Sequence, residues 1–194
     1  MRRANKRDQQ IVVDILAPAF DDNKSLNFVV KQDSRRASRI RHLMEYSFNV
    51  CRAFGEVWIA DDNQACALIL FPDKKKTSFQ TILWDAKLAL AGIGLDRVNK
   101  VMAREKAIKA CHPSEPVCYL WFIGVTKESQ GKGLGSDLMR AVLSECAKKN
   151  RPVYLETSTE RNLPFYTRFG FEVFHSINLS YKLYLLRTTS PTAA

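Results

Sequence analysis

Along this chain, apolar residues return at helical spacing in some stretches and run unbroken for a few residues in others, and the two habits divide it into elements. Ile11, Ile15 and Leu16 form a stripe that predicts a helix over 8–20, ended by Pro18 and the polar Asp21-Asp22-Asn23. Residues 26–30 are apolar but too few to assign. Ser34 is a suitable N-cap for a helix reaching 54, with Ile40, Leu43, Met44, Ser47, Phe48 and Cys51 along one face and Gly55 as its stop. Runs at 56–60 and 65–70 read as strands around a turn at Asp61-Asp62-Asn63-Gln64, followed by a polar loop over 72–76 whose lysines are a solvated tip. Helical spacing returns over 81–91 and 95–110, interrupted by Gly92-Ile93-Gly94; this Gly-x-Gly follows no strand, so it is a helix break.

Beyond a proline-bounded loop at 111–116, the aromatic and β-branched run 117–125 predicts a buried strand. Three glycines follow at alternate positions in 130–135. Leu134, Leu138, Ala141, Val142, Leu143 and Cys146 then predict a helix over 134–149. A strand at 152–157, a short helix at 161–169, strands at 171–177 and 179–186, and a loose tail over 188–194 complete the reading.

Composition narrows the classes. The 194 residues, 46% of them hydrophobic, suffice for one globular domain spanning 1–194. Cys51, Cys66, Cys111, Cys118 and Cys146 are scattered without Cys-x-x-Cys or Cys/His ligand spacing, so we expect free thiols, no metal site and a reducing compartment. No stretch is long and apolar enough to span a membrane or act as a secretory signal, which points to a soluble, cytoplasmic protein with no membrane partner. The net charge of +10 suits a polyanionic ligand. Arg35, Arg36, Arg39 and Arg41 cluster on one predicted helix, but no nucleic-acid-binding motif accompanies them, so nucleic acid is disfavoured. A homodimer stays open.

The candidate chemistry lies where the central strand turns into its helix. Glycines there allow positive φ and close backbone approach, and the free N–H groups of the helix start favour an anion such as a pyrophosphate. Gly131-Lys132 lacks the upstream glycine of a nucleoside-triphosphate loop. Gly131, Gly133 and Ser136 nearly fit the dinucleotide fingerprint, so a dinucleotide-dependent oxidoreductase remains a competitor. Gln130-Gly131-Lys132-Gly133-Leu134-Gly135 fits Q/R-x-x-G-x-G/A, and downstream Asn162-Leu-Pro-Phe-Tyr166-Thr-Arg-Phe-Gly170-Phe171 places a tyrosine four residues before Gly-Phe.

In that order the two motifs resemble those of the GNAT N-acetyltransferases, over roughly 117–173. The resemblance implies an α/β fold with a mixed, mostly antiparallel sheet of six to seven strands flanked by helices. It also implies acetyl transfer from acetyl-CoA to an amine acceptor, either a small molecule or a peptide or protein amine. It assigns the pyrophosphate to Gln130, Gly131, Lys132, Gly133, Leu134, Gly135 and Ser136, chiefly through backbone N–H groups. The pantetheine arm would pair with the strand edge at Ile123, Gly124 and Val125. Gly124 inside a strand independently marks a bulge or a close approach.

Tyr166 is the expected general acid, since a phenol of pKa ~10 matches a thiol leaving group. Asn162, four residues earlier on the same helical face, is a further cofactor contact. An amine protonated at neutral pH needs a base, and Glu156 at the strand end is the candidate, with His112 and Glu115 behind it. His42 and His175 read as ordinary packing or surface histidines. Lys127 stands where the family often has proline, and the insertion over 81–110 lies where acceptor specificity is set. A non-catalytic acyl-CoA sensor on the same fold is the alternative from a different class.

Overall fold

The computed structural model describes residues 1–188, so the predicted tail beyond Thr188 lies outside the described residues. Seven strands form one sheet in the order β1-β2-β3-β4-β5-β7-β6. They are β1 (Arg2–Arg3), β2 (Gly55–Ile59), β3 (Ala65–Leu70), β4 (Cys118–Val125), β5 (Val153–Thr157), β6 (Phe171–Asn178) and β7 (Lys182–Thr188). Every neighbouring pair is antiparallel except β4–β5. The expected mixed, mostly antiparallel sheet is therefore present. A doubly wound parallel sheet, which the dinucleotide reading required, is not the architecture.

Helices cover both faces. On one, α1 (Gln9–Ala19), α2 (Lys24–Val29) and α3 (Arg36–Phe54) enclose a core around Leu16, Met44, Phe48, Ile59 and Leu68. On the other, α6 (Leu134–Lys148) and α7 (Leu163–Arg168) cover Ile69, Leu120, Leu138, Met139 and Leu155. Between them in sequence come α4 (Phe79–Lys87), a π-turn at Leu88–Ile93 and α5 (Val98–Ala110). The break expected at Gly92-Ile93-Gly94 is there, with Gly94 at φ 91°.

Four details differ from the sequence reading. Residues 26–29 belong to a helix that ends before Val30, because Asn23 caps its start by accepting the Leu26 N–H at 3.0 Å; its residues are too few for a periodicity to show. Asp33, not Ser34, organises the start of α3. Its carboxylate accepts the Arg35 N–H at 3.0 Å and is held bidentately by the buried Arg39 at 2.9 and 2.8 Å. The hydrogen bonds from that guanidinium lower the Asp33 carboxyl to about 2. Residues 179–181 are a turn, and β7 begins only at Lys182 and runs through Thr188. Arg2 and Arg3, to which the sequence pattern assigned no element, add a short edge strand against Ile59 and Trp58.

Gly124 is not a bulge. The register shift lies between Leu68 and Ile69 of β3, where Phe122 and Leu120 are their partners and Trp121 is left as the extra residue of β4. Trp121 and Phe122 consequently share a face, their rings 5.7 Å apart. Gly124 instead answers to close approach: a Cβ there would lie 2.7 Å from Leu16 Cδ2 of α1.

Candidate active site

Strands β4 and β5 separate almost as soon as they meet. They pair only at Cys118↔Val153 and Tyr119↔Tyr154, after which β4 continues to Val125 alongside β3 alone. The gap is a cleft of about 60 Å³ lined by Leu120, Trp121 and Ile123 from one strand and Leu155, Glu156 and Thr157 from the other, closed by Phe20, Asn23, Asn162 and Tyr166. Backbone groups on the parted edge of β4 are thus available to an extended ligand, as an added strand would use them. Of the three predicted β4 contacts, Ile123 lines the cleft. Gly124 faces α1, and Val125 packs near Gly135 at the start of α6, its Cγ2 3.5 Å from where a Cβ on that glycine would be.

The glycine loop lies next to this strand end. Gly131 and Gly133 adopt φ 78° and 85°, which side-chain-bearing residues rarely do, and a Cβ on either would meet nothing within 4 Å. Their role is therefore conformational, and the space beside them is open. Gly133 precedes α6 without a side-chain cap. The Ser136 and Asp137 N–H groups donate back to its carbonyl at 2.8 and 3.0 Å. Among the described residues no protein acceptor takes the N–H groups of Gly131 to Gly135. The amide set free for an anion thus ends at Gly135, one short of the expected Ser136. Gln130 and Lys132 are exposed at the same loop. Lys127 in place of proline is accommodated in a single 3₁₀ turn, Lys127–Ser129.

Tyr166 is buried on α7, its ring edge-on to Phe165 at 5.5 Å and Phe171 at 5.9 Å. Its hydroxyl has no hydrogen-bond partner among the described residues. Burial raises the phenol to about 12, which keeps it protonated at any physiological pH. Asn162 precedes α7 but makes no side-chain cap bond, leaving its carboxamide beside the cleft.

Glu156 brings together residues that sequence reasoning kept apart. One carboxylate oxygen lies 3.0 Å from His112 Nε2, and the other accepts the Tyr119 hydroxyl. Glu156 and His112, weighed separately as bases, are one unit, with the Glu156 side chain 7% and that of His112 17% exposed. Tyr119 was missed altogether. Burial and the nearby Glu156 charge push its phenol well above the ordinary range, so it serves as a fixed donor. Glu115 is exposed in the preceding loop, with no recorded contact to this group. His42 pairs with Glu45 at 3.2 Å, away from the cleft. Among the described residues no cluster of His, Cys, Asp and Glu could hold a metal, and no helix is long and apolar enough to cross a membrane.

The strand-edge cleft ends at an unpartnered phenol, with the open glycine loop beside the same strand end and a hydrogen-bonded carboxylate inside, and these are features that suit an extended, phosphorylated ligand. Comparison with known proteins makes this specific. Residues 93–173 match the family model described as the acetyltransferase (GNAT) domain, a span that includes β4, the loop, β5 and Tyr166. An uncharacterized N-acetyltransferase of Schizosaccharomyces pombe is 25% identical over 92% of this chain and 76% of its own length. Among solved structures, a histone acetyltransferase HPA2 and related acetyltransferase from Corynebacterium glutamicum superposes with TM-score 0.72 at 18% identity, covering 99% of this chain and 96% of that one. Arabidopsis thaliana Naa50, solved with a bisubstrate analogue, gives 0.52 at 14% identity over 97% and 96%. Over residues 93–173 the chain is thus similar to the GNAT acetyltransferases, and its overall fold is the one these solved acetyltransferase structures share.

Proposed function

We propose that the chain moves an acetyl group from acetyl-CoA to an amine by direct attack, with Tyr166 as general acid and Glu156 as general base. The observation that carries this reading is the parting of β4 from β5 beside a buried phenol that has no protein partner. Acetyl-CoA supplies an acetyl thioester whose carbon–sulfur bond breaks as the carbon–nitrogen bond forms. Gly131, Lys132, Gly133, Leu134 and Gly135 offer amides to its pyrophosphate, with Gln130, the Lys132 charge and the Ser136 side chain beside them. The β4 edge from Ile123 to Val125 and the Asn162 carboxamide hold the arm that follows. Glu156 takes the amine proton, steadied by Tyr119 and His112. Tyr166 gives its proton to the departing sulfur. The five free thiols suit a reducing, cytoplasmic setting.

Calorimetry with acetyl-CoA and a thiol-release assay with an amine panel test this together. Tyr166→Phe should lower kcat by about 10²-fold while leaving the acetyl-CoA Kd within about twofold, because it removes a proton donor and no binding area. Since the phenol is held at about 12, kcat in the parent protein should not fall through loss of this acid below pH ~10. No binding at hundreds of micromolar acetyl-CoA would defeat the reading. Binding without thiol release from any amine would leave an acyl-CoA sensor.

A further inference from the structure

A second, larger pocket of about 320 Å³ opens on the other side of α2, and nothing in the acetyl-transfer machinery accounts for it. Its walls come from three separate parts of the chain: Lys24 and Phe28 of α2, Arg97 and Lys100 at the start of α5, and Ser180 and Tyr181 from the β6–β7 turn. Three of these side chains are cationic. Among the described residues none of the three has a carboxylate within ion-pair distance, although nearby cations do, Lys31 with Asp96 and Arg104 with Glu105. The Arg97 guanidinium donates through Nη2 to the Phe28 carbonyl, while its Nε is buried without any partner. A buried guanidinium N–H lacking an acceptor is costly, so the Arg97 side chain is held here by its bond to Phe28 and by packing, with its charge at the pocket wall.

The rest of the pocket holds these charges in place. Lys100 Nζ lies 4.1 Å from the Phe28 ring centroid, and Phe28 meets the Tyr181 ring edge-on at 5.5 Å. Arg104 fixes the Tyr181 hydroxyl at 3.0 Å, and that hydroxyl reaches Ser25 Oγ at 3.3 Å. The first turn of α5, with Lys100 in it, adds the positive end of a 13-residue helix. Three cations without carboxylate partners around one pocket, together with a helix start, are the recognition chemistry of an oxyanion.

Its position relates it to the cleft. Asn23 lines the cleft and the next residue, Lys24, lines the pocket. The Ser25 N–H is tied at 3.2 Å to Ser158, just past the end of β5. Consecutive residues at the start of α2 thus line the two sites. We infer that this pocket binds an oxyanion, carboxylate or phosphate, carried by the acceptor itself, so that the enzyme selects amines bearing a negative group a short distance from the nitrogen. This rests on the acetyl-transfer reading for the identity of the ligand, but not for the existence of the anion site.

Paired acceptors test it: matched amines with and without a carboxylate, and a second set with and without a phosphate monoester. The charged member of a pair should show a KM about ten- to a hundredfold lower at similar kcat. In the double variant Lys24→Gln/Lys100→Gln, both substitutions exposed, the ratio between pair members should fall toward one. The set with the larger ratio in the parent protein identifies the group. Independently of activity, inorganic phosphate at about 10 mM, the range of a weak single contact, should shift the amide resonances of Lys100 and Tyr181 in ¹H–¹⁵N spectra, and not in the double variant. Equal KM values within every pair would overturn the acceptor assignment, and an unmoved spectrum would overturn the anion site. If no amine is acetylated yet phosphate shifts those resonances, the transfer reading fails and the anion site stands.

Discussion

At Glu156 two donors converge on one carboxylate that has little access to water: Tyr119 on one oxygen, His112 on the other. Such a group has a structural and a chemical side, and two substitutions separate them. Tyr119→Phe keeps the ring and removes one donor from a charged acceptor, a loss of about 1.5–3 kcal/mol measured by denaturant unfolding. Glu156→Gln keeps the shape: its carbonyl accepts from Tyr119, and its amide donates to His112 Nε2 once the neutral imidazole carries its proton on Nδ1, so unfolding should change by less than about 1 kcal/mol. It abolishes the base, however, and kcat should fall about 10²-fold. Stability near the parent value with turnover intact in Glu156→Gln would move the base elsewhere.

On the scale of elements, the packing of α1 over β4 sets how far the central strand can bend away from β5. Gly124 is what allows α1 so near, because Leu16, itself fully buried, fills the space of the missing Cβ. Gly124→Ala should therefore cost about 1–3 kcal/mol from overpacking, and Leu16→Ala about 2–5 kcal/mol from the cavity it leaves. In the double variant the new methyl enters that cavity, so the two costs should sum to less than their total by at least about 1 kcal/mol in denaturant titrations. Strict additivity would mean that the contact does not limit the approach. The loop glycines were legible in the sequence because their demand is local, a positive φ at Gly131 and Gly133; Gly124 was legible as a glycine within a strand, but its neighbour Leu16 comes from a distant helix. The long helices and the hairpin were legible through periodicity. What was not legible is either too short or too distant. Six residues of α2 and two arginines of β1 carry no period. Tyr119 and His112 lie 37 and 44 residues before Glu156 and meet it only through the sheet. The extra residue at Trp121 is a fact about register, which one strand alone does not encode.

For the whole molecule, the +10 charge is distributed in a way that the arginine cluster on α3 conceals. Arg36, Arg39 and Arg41 are each matched by a carboxylate, Asp21, Asp33 and Asp14, at 2.7–2.8 Å, so three of the four arginines of that cluster are locally neutralised and Arg35 is not. Lys127 and Lys132 at the glycine loop have no carboxylate within ion-pair distance among the described residues, and neither do Lys24, Arg97 and Lys100 beside α2. Part of the uncompensated charge therefore lies at the glycine loop and beside α2, with the rest, such as Arg35 and Lys74 to Lys76, elsewhere on the surface, and the part at the loop attracts a polyanion over distances that depend on ionic strength. Raising salt from about 0.05 to about 0.5 M shortens the screening length from roughly 14 to 4 Å. The association rate constant of acetyl-CoA, followed by stopped flow, should then drop several-fold to tenfold, and dissociation should change little, since amides at the loop and strand edge do not depend on the long-range field. Lys127→Glu/Lys132→Glu should flatten that dependence. If the parent association rate were the same at both salt concentrations, the excess charge would have no part in capturing the carrier, and short-range fit at Gly131–Gly135 alone would have to explain its binding.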